Sequence, residues 1–136
     1  MAQAVVYRKN LNGLEFLVMK RVPKDGGFWQ AITGTVEPGE EILDTVKREL
    51  VEEAGISETM YISAKLAEYE WFNSKSGYGG YDTIFAVEVS PIAEVVINID
   101  EHSEFKWLQI EEALALLKFD GNKKSMLLVL EHANSR

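Results

Sequence analysis

Two apolar runs, Ala4 to Arg8 and Glu15 to Val22, open the chain on either side of Asn12-Gly13, a pattern that predicts a β-hairpin. Lys24-Asp25-Gly26-Gly27 reads as a loop, and Phe28 to Val36 as a further extended segment. The period then changes. Leu43, Val46, Leu50 and Ala54 recur at three- and four-residue spacings, the stripe of a helix packed on a sheet. Pro38-Gly39 is a turn signal just before this helix, and Gly55 stands where a left-handed C-cap is expected. Met60 to Phe72 and Tyr81 to Val89 are rich in β-branched and aromatic residues and flank a Gly/Ser/Asn loop at Asn73 to Gly80, which predicts two long antiparallel strands. A short strand over Phe105 to Leu108 and helices over Ile110 to Leu117 and from Asn122 to about Ala133 complete the pattern.

The polar side of the first helix carries the candidate chemistry. At about 100° per residue, Glu49, Glu52 and Glu53 share one face. A solvated surface face is the ordinary reading of such a run. Here, however, like charges at i,i+3 and i,i+4 repel by about 0.2–0.5 kcal/mol per pair, and glutamate is disfavoured in the last turns of a helix. Clustered carboxylates at this spacing suit a hard divalent cation that shares its remaining positions with water and phosphate oxygens.

Composition narrows the rest. A chain of 136 residues with 46% hydrophobic content can build one core and is too short for two ordinary domains, so residues 1–136 are expected to form a single domain. The absence of cysteine removes disulfides, thiolate metal sites and cysteine nucleophiles, leaving oxygen-ligated chemistry. No apolar run approaches ~20 residues and the N-terminus lacks the layout of a signal peptide, which predicts a cytoplasmic protein without membrane contact. A formal charge of −8 argues against a nucleic-acid polymer as partner. It leaves room for a small polyphosphate, because bound divalent ions would invert the local field.

Gly34 to Ile56 reads GTVEPGEEILDTVKRELVEEAGI. It fits the pattern Gly, five residues, Glu, seven residues, Arg-Glu, an aliphatic residue, any residue, Glu-Glu, any residue, Gly, aliphatic. By average residue usage, chance would give this on the order of once in a billion windows. The pattern is the signature of the Nudix hydrolase family, which the chain resembles. The resemblance implies an α/β (α+β) fold, an α/β/α sandwich with a mixed central sheet and a catalytic loop-helix-loop. It also implies metal-assisted cleavage of a diphosphate linkage. Glu49 and Glu53 would hold Mg²⁺, or Mn²⁺, with Glu52 and the Gly34 carbonyl completing or orienting the site. Arg48 and Glu40 would pair to orient the catalytic helix.

Outside the signature, Glu101-His102 followed by Phe105-Lys106-Trp107-Leu108 is similar to a string found in two Nudix subgroups, the pterin and nucleoside triphosphate pyrophosphatases and the asymmetric dinucleoside tetraphosphate hydrolases. The likeness makes Glu101 an additional metal ligand or the general base. Either Glu101 or Glu53 would take the proton from the attacking water, and His102 is expected to act structurally. Phe28 to Gly34 resembles the segment before the signature in dihydroneopterin triphosphate pyrophosphatases, and Arg21 and Thr33 align with substrate-contacting positions there. Phe72, Tyr78 and Tyr81 flank the glycine-rich loop, where a flat ring could stack. Relatives that hydrolyse ADP-ribose usually carry a proline where this chain reads Glu70-Trp71-Phe72, which lowers that reading.

The leading expectation is a pyrophosphohydrolase that takes a nucleoside or dihydroneopterin triphosphate to monophosphate and diphosphate. The alternatives are a diadenosine tetraphosphate hydrolase yielding ATP and AMP, and a non-catalytic nucleotide-sensing module. The expected partner is a small nucleotide or pterin polyphosphate, and the sequence leaves monomer and homodimer both open.

Overall fold

The computed structural model describes residues 1–136. The opening apolar runs form β1 (Ala2–Asn10) and β2 (Gly13–Arg21), joined by a two-residue turn at Leu11-Asn12 with Asn10 opposite Gly13. The turn therefore sits one residue earlier than the Asn-Gly dipeptide suggests. Gly13 takes φ +107° just after it, and the Asn12 N–H donates to Asn10 Oδ1. The segment expected as one strand over Phe28 to Val36 divides into β3 (Trp29–Gln30), paired with β2, and β4 (Ile32–Gly34), paired with β1. Two short strands result because the chain changes partner at Ala31.

The helix α1 (Ile42–Ala54) follows. Gly55 ends it at φ +65°, where its N–H reaches the Val51 carbonyl and the Ile56 N–H reaches the Leu50 carbonyl, while Ile56 and Leu50 share the core. Beyond it, the expected long strand from Met60 breaks into β5 (Tyr61–Ile62) and β6 (Ala67–Asn73). The physical cause is Ser63, whose Oγ accepts the Ala86 N–H at 2.8 Å and takes the place of a strand carbonyl. β6 and β7 (Tyr78–Glu88) then run as a hairpin from Asn73↔Tyr78 to Ala67↔Ile84. Gly79 and Gly80 belong to its ladder rather than to the loop. β8 (His102–Leu108) starts three residues earlier than expected, and α2 (Ile110–Leu116) and α3 (Asp120–Asn134) fall where the periodicity puts them.

All eight strands join one sheet, β3-β2-β1-β7-β5, with β4 also on β1, β6 on β7 and β8 on β2. β1 and β7 are parallel and the other pairs antiparallel, so the sheet is mixed. Alternate residues of its central strands feed two cores. Val6, Leu17, Met19, Phe85 and Val87 pack with Val46, Leu50 and Ala54 of α1. Val5, Tyr7, Phe16, Val18, Ile84 and Ala86 pack with Ala113 of α2 and with Met126, Val129 and Ala133 of α3. A sheet covered on both faces explains why its central strands read as continuous apolar runs rather than as alternating ones. The expected α/β/α sandwich is the architecture found. No helix is long and apolar enough to cross a membrane.

Candidate active site

Helix α1 presents its carboxylates to two environments. Glu49 and Glu53 are buried, at 8% and 4% exposure, whereas Glu52 is exposed. Arg48 lies among them as a cross-link. Its Nε and Nη2 clasp the Glu40 carboxylate at 2.8 and 3.0 Å, and Nη2 also donates to the Thr35 carbonyl at 2.9 Å. Nη1 reaches Glu49 Oε1 at 2.8 Å and Glu52 Oε2 at 3.2 Å. The loop before α1 is thereby strapped to the helix. The Arg48 hydrogen bonds, with one from the Thr45 hydroxyl, hold the Glu40 carboxyl down to about 2. Burial pushes the Glu49 carboxyl up against the pull of Arg48.

Gly34, at the end of β4, lies against this helix so closely that a Cβ there would stand 2.2 Å from Glu49 Cγ and 2.3 Å from its Cδ. The Glu49 side chain thus occupies the space that any other residue at position 34 would need.

Glu53 meets the start of β8. Its Oε2 lies 2.8 Å from His102 Nδ1, yet neither atom has a well-directed hydrogen bond, so a buried carboxylate oxygen is left without an aligned partner. Glu101 completes the group, with one ligand atom from each of Glu53, Glu101 and His102 lying within 4.8 Å of the others. The hydrogen bond to Glu53 pushes Glu101 up to about 7, with burial and the Glu53 charge adding to it. Burial works to raise Glu53, but the closeness of His102 and Glu101, with the charge of Arg21, outweighs it and holds this group down. Arg21, opposite His102 in the β2–β8 ladder, places a positive charge near both.

A cavity of about 530 Å³ opens on the other face of the sheet, walled by α3, the β6–β7 hairpin and the strand ends near β4. Phe28, Tyr69, Trp71 and Phe119 supply apolar surface, and Gln3, Thr33, Asp82 and Asn122 supply polar groups. Phe28 and Phe119 meet edge to face with ring centres 5.1 Å apart. Successive residues of β4 link the two regions, Thr33 lining the cavity and Gly34 touching Glu49.

The tertiary structure therefore gathers Gly34, Glu49, Glu53, Glu101 and Arg21 around the C-terminal half of α1. Glu40 and Arg48 stand beside them as an ion pair, and Glu52 extends outward on Arg48. Thr33 lines the cavity, but Tyr81 does not. Strand alternation puts its neighbour Asp82 there, while Tyr81 is exposed and its carbonyl accepts from the Met1 amino group. Of the aromatic residues expected at the glycine-rich loop, Phe72 and Tyr78 are also exposed and outside the cavity. Sequence reasoning passed over Gln3, Asp82, Asn122 and Phe119. A polar Gln3 inside the otherwise apolar run Ala2 to Tyr7 was the one local signal.

Comparison with known proteins places these features in context. The family model described as the NUDIX domain matches residues 2–130. A curated relative, the octanoyltransferase of Myxococcus xanthus, is 32% identical over 81% of this chain, which spans only 30% of that protein. The asymmetrical bis(5'-nucleosyl)-tetraphosphatase of Sus scrofa is 28% identical over 96% of this chain and 89% of its own. The dihydroneopterin triphosphate diphosphatase of Haemophilus influenzae is 29% identical over 90% and 81%. Among solved structures, a NUDIX hydrolase from Listeria monocytogenes superposes with a TM-score of 0.84 at 24% identity, covering 98% of this chain and 93% of that one, a likeness of fold.

Proposed function

The chain belongs to the Nudix family of hydrolases, and from that we propose that it is a divalent-metal-dependent pyrophosphohydrolase that splits a nucleoside or dihydroneopterin triphosphate into monophosphate and diphosphate. The observation that carries this reading is the pairing, through adjacent residues of β4, of a buried carboxylate cluster with an aromatic-walled cavity on the other face of the sheet. One region suits a phosphate chain and the other a flat ring.

The residues present fit a hard cation. Glu53 Oε2 is a buried oxygen lacking an aligned partner, Glu49 is held in a cradle that only glycine leaves open, and the neighbouring donors are carboxylates. Glu49, Glu53, Glu101 and the Gly34 carbonyl would hold Mg²⁺ or Mn²⁺, with Glu52 at the margin. When bound, the ion supplies neutralisation of phosphate charge and makes a water more acidic. The chain's own groups do the rest. Glu101 or Glu53 accepts the proton of the water that attacks phosphorus. Arg21 faces charge that builds on the phosphates, as its position beside Glu53 and Glu101 allows. Arg48 and Glu40 fix the helix against the loop, a positioning role. The ring enters the cavity past Thr33, in a cytoplasmic setting.

A second reading, hydrolysis of a dinucleoside tetraphosphate to ATP and AMP, draws on the exposed Phe72, Tyr78 and Tyr81 of the β6–β7 hairpin, which would offer a second ring a stacking surface outside the cavity. Incubation of the protein with Mg²⁺ and dihydroneopterin triphosphate, the nucleoside triphosphates, diadenosine tetraphosphate or ADP-ribose, with products resolved chromatographically, tests both. Diphosphate plus monophosphate as the fastest products upholds the first reading, and ATP plus AMP replaces it with the second. No metal-dependent turnover of any compound overturns both in favour of a nucleotide-sensing module.

A further inference from the structure

The cavity holds a polar group that nothing in the protein satisfies. Asp82 lines it from β7, half-buried, and its side chain makes neither a hydrogen bond nor an ion pair, with Oδ1 shut off from solvent. Beside it on the same face of the sheet is Gln3, 3% exposed, whose Oε1 is also buried without a donor. The Gln3 amide nitrogen is committed elsewhere, donating to Asn122 Oδ1 at 2.8 Å, a link that ties β1 to α3 across the cavity. An unpaired carboxylate and an unpaired amide carbonyl lining a half-open cavity with aromatic side chains represent unmet acceptor capacity, the kind a native fold tolerates where a ligand supplies the donors.

Ring chemistry then decides which ligand. A carboxylate accepts two parallel hydrogen bonds best from two neighbouring N–H groups. The 2-amino-4-oxopyrimidine edge common to guanine and pterins presents a ring N–H next to an exocyclic NH₂. Adenine and cytosine each place a bare ring nitrogen beside their amino group, which would face the carboxylate lone pairs. Hypoxanthine keeps the ring N–H and lacks the amino group. The free amide nitrogen of Asn122 is a donor for the adjoining ring carbonyl.

We propose that Asp82, supported by Gln3 and Asn122, is the specificity-determining residue of this cavity and selects rings carrying the 2-amino-4-oxopyrimidine edge. This rests on the reading of the cavity as the substrate's ring site, so its test must not depend on turnover alone.

Binding is measured first, by tryptophan fluorescence of the whole protein, since Trp71 lines the cavity. The ligands are guanosine, neopterin, inosine and adenosine. Hydrolysis of the triphosphates of guanosine, dihydroneopterin, inosine and adenosine is then compared with Mg²⁺. The expected result is at least about tenfold preference for the 2-amino rings over inosine and adenosine, in affinity and in kcat/KM. Asp82→Asn, which keeps the shape and is checked for fold by circular dichroism, should lose most of that preference, because its amide offers adenine a donor as well as an acceptor. Guanosine and neopterin compounds compared with each other identify which source of the shared edge the cavity prefers.

A wild-type protein that binds adenosine as well as guanosine overturns the proposal, as does an Asp82→Asn protein whose guanosine to adenosine ratio stays within twofold. Selective binding without hydrolysis of any triphosphate upholds the assignment of Asp82 and removes the catalytic reading instead.

Discussion

Glu53 and Glu101 are the residues whose chemistry depends most on each other. Two carboxyls this close cannot both ionise cheaply, so in metal-free protein Glu101 is raised to about 7. The sign of the consequence follows from linkage. Between the ordinary glutamate value and about 7, folded Glu101 binds more protons than unfolded Glu101, so its contribution to stability is full below that window and is lost as pH rises through it. Metal-free protein in a chelator should therefore show a declining Tm from about pH 5 to 7.5. Mg²⁺, which favours the ionised carboxylates, should raise Tm more at pH 8 than at pH 5. Scanning fluorimetry at both extremes checks this, and a flat or rising metal-free profile contradicts it. Glu53→Gln should lower metal-dependent hydrolysis by about 10²–10⁴-fold and flatten the metal-free dependence of Tm on pH, since it removes the carboxyl that raises Glu101. Gly34→Ala should act on the same site by a steric route. The new Cβ needs the space of the Glu49 carboxylate, so that side chain must swing away. Steady-state assays should show strongly reduced activity and a raised Mg²⁺ requirement, at a stability cost of roughly 1–3 kcal/mol.

Helix α1 is positioned by features at both of its ends. At the front, the Arg48 fork on Glu40 and the Thr35 carbonyl fixes the loop, a geometry that the single ammonium of lysine cannot reproduce. Arg48→Lys should reduce kcat/KM by about 10–100-fold while the protein remains folded, and titration with Mg²⁺ should show weaker apparent binding. At the back, Gly55 holds a left-handed conformation at φ +65° with Val96 Cβ only 3.1 Å from where a methyl would lie. Gly55→Ala should cost about 1–2 kcal/mol in urea unfolding, and an unchanged midpoint would mean that the cap contributes little. Both features lie within the signature, which is why most of this element was legible, although Leu43, expected in its buried stripe, is exposed and Ile42 packs on the core instead. Its stripe, its turn, its C-cap and its acidic face are all local in sequence. The strands were less legible. Nothing local announces that Ser63 interrupts a strand or that Ala31 marks a change of partner, because both follow from which backbone lies alongside.

On the scale of the whole molecule, the sheet keeps two kinds of chemistry apart and joins them through one strand. The carboxylates lie on the α1 side, the cavity on the α3 side, and Thr33 and Gly34 stand between them. A chelator should abolish turnover while leaving ring binding by tryptophan fluorescence intact, and loss of both together would show that the two regions are not separable. The sequence by itself determined the family, the sandwich and the acidic face of α1, because periodicity, capping and a signature 23 residues long are written in neighbouring positions. It placed Glu101 and Arg21 near the site through likeness to relatives. Only the tertiary structure decided that Glu53 meets Glu101 and His102, that Asp82 rather than Tyr81 faces the cavity, and that Gln3 reaches Asn122 across 119 positions of chain. The physical reason is that a local pattern fixes which face of an element is polar, whereas strand register and layer packing fix what that face meets.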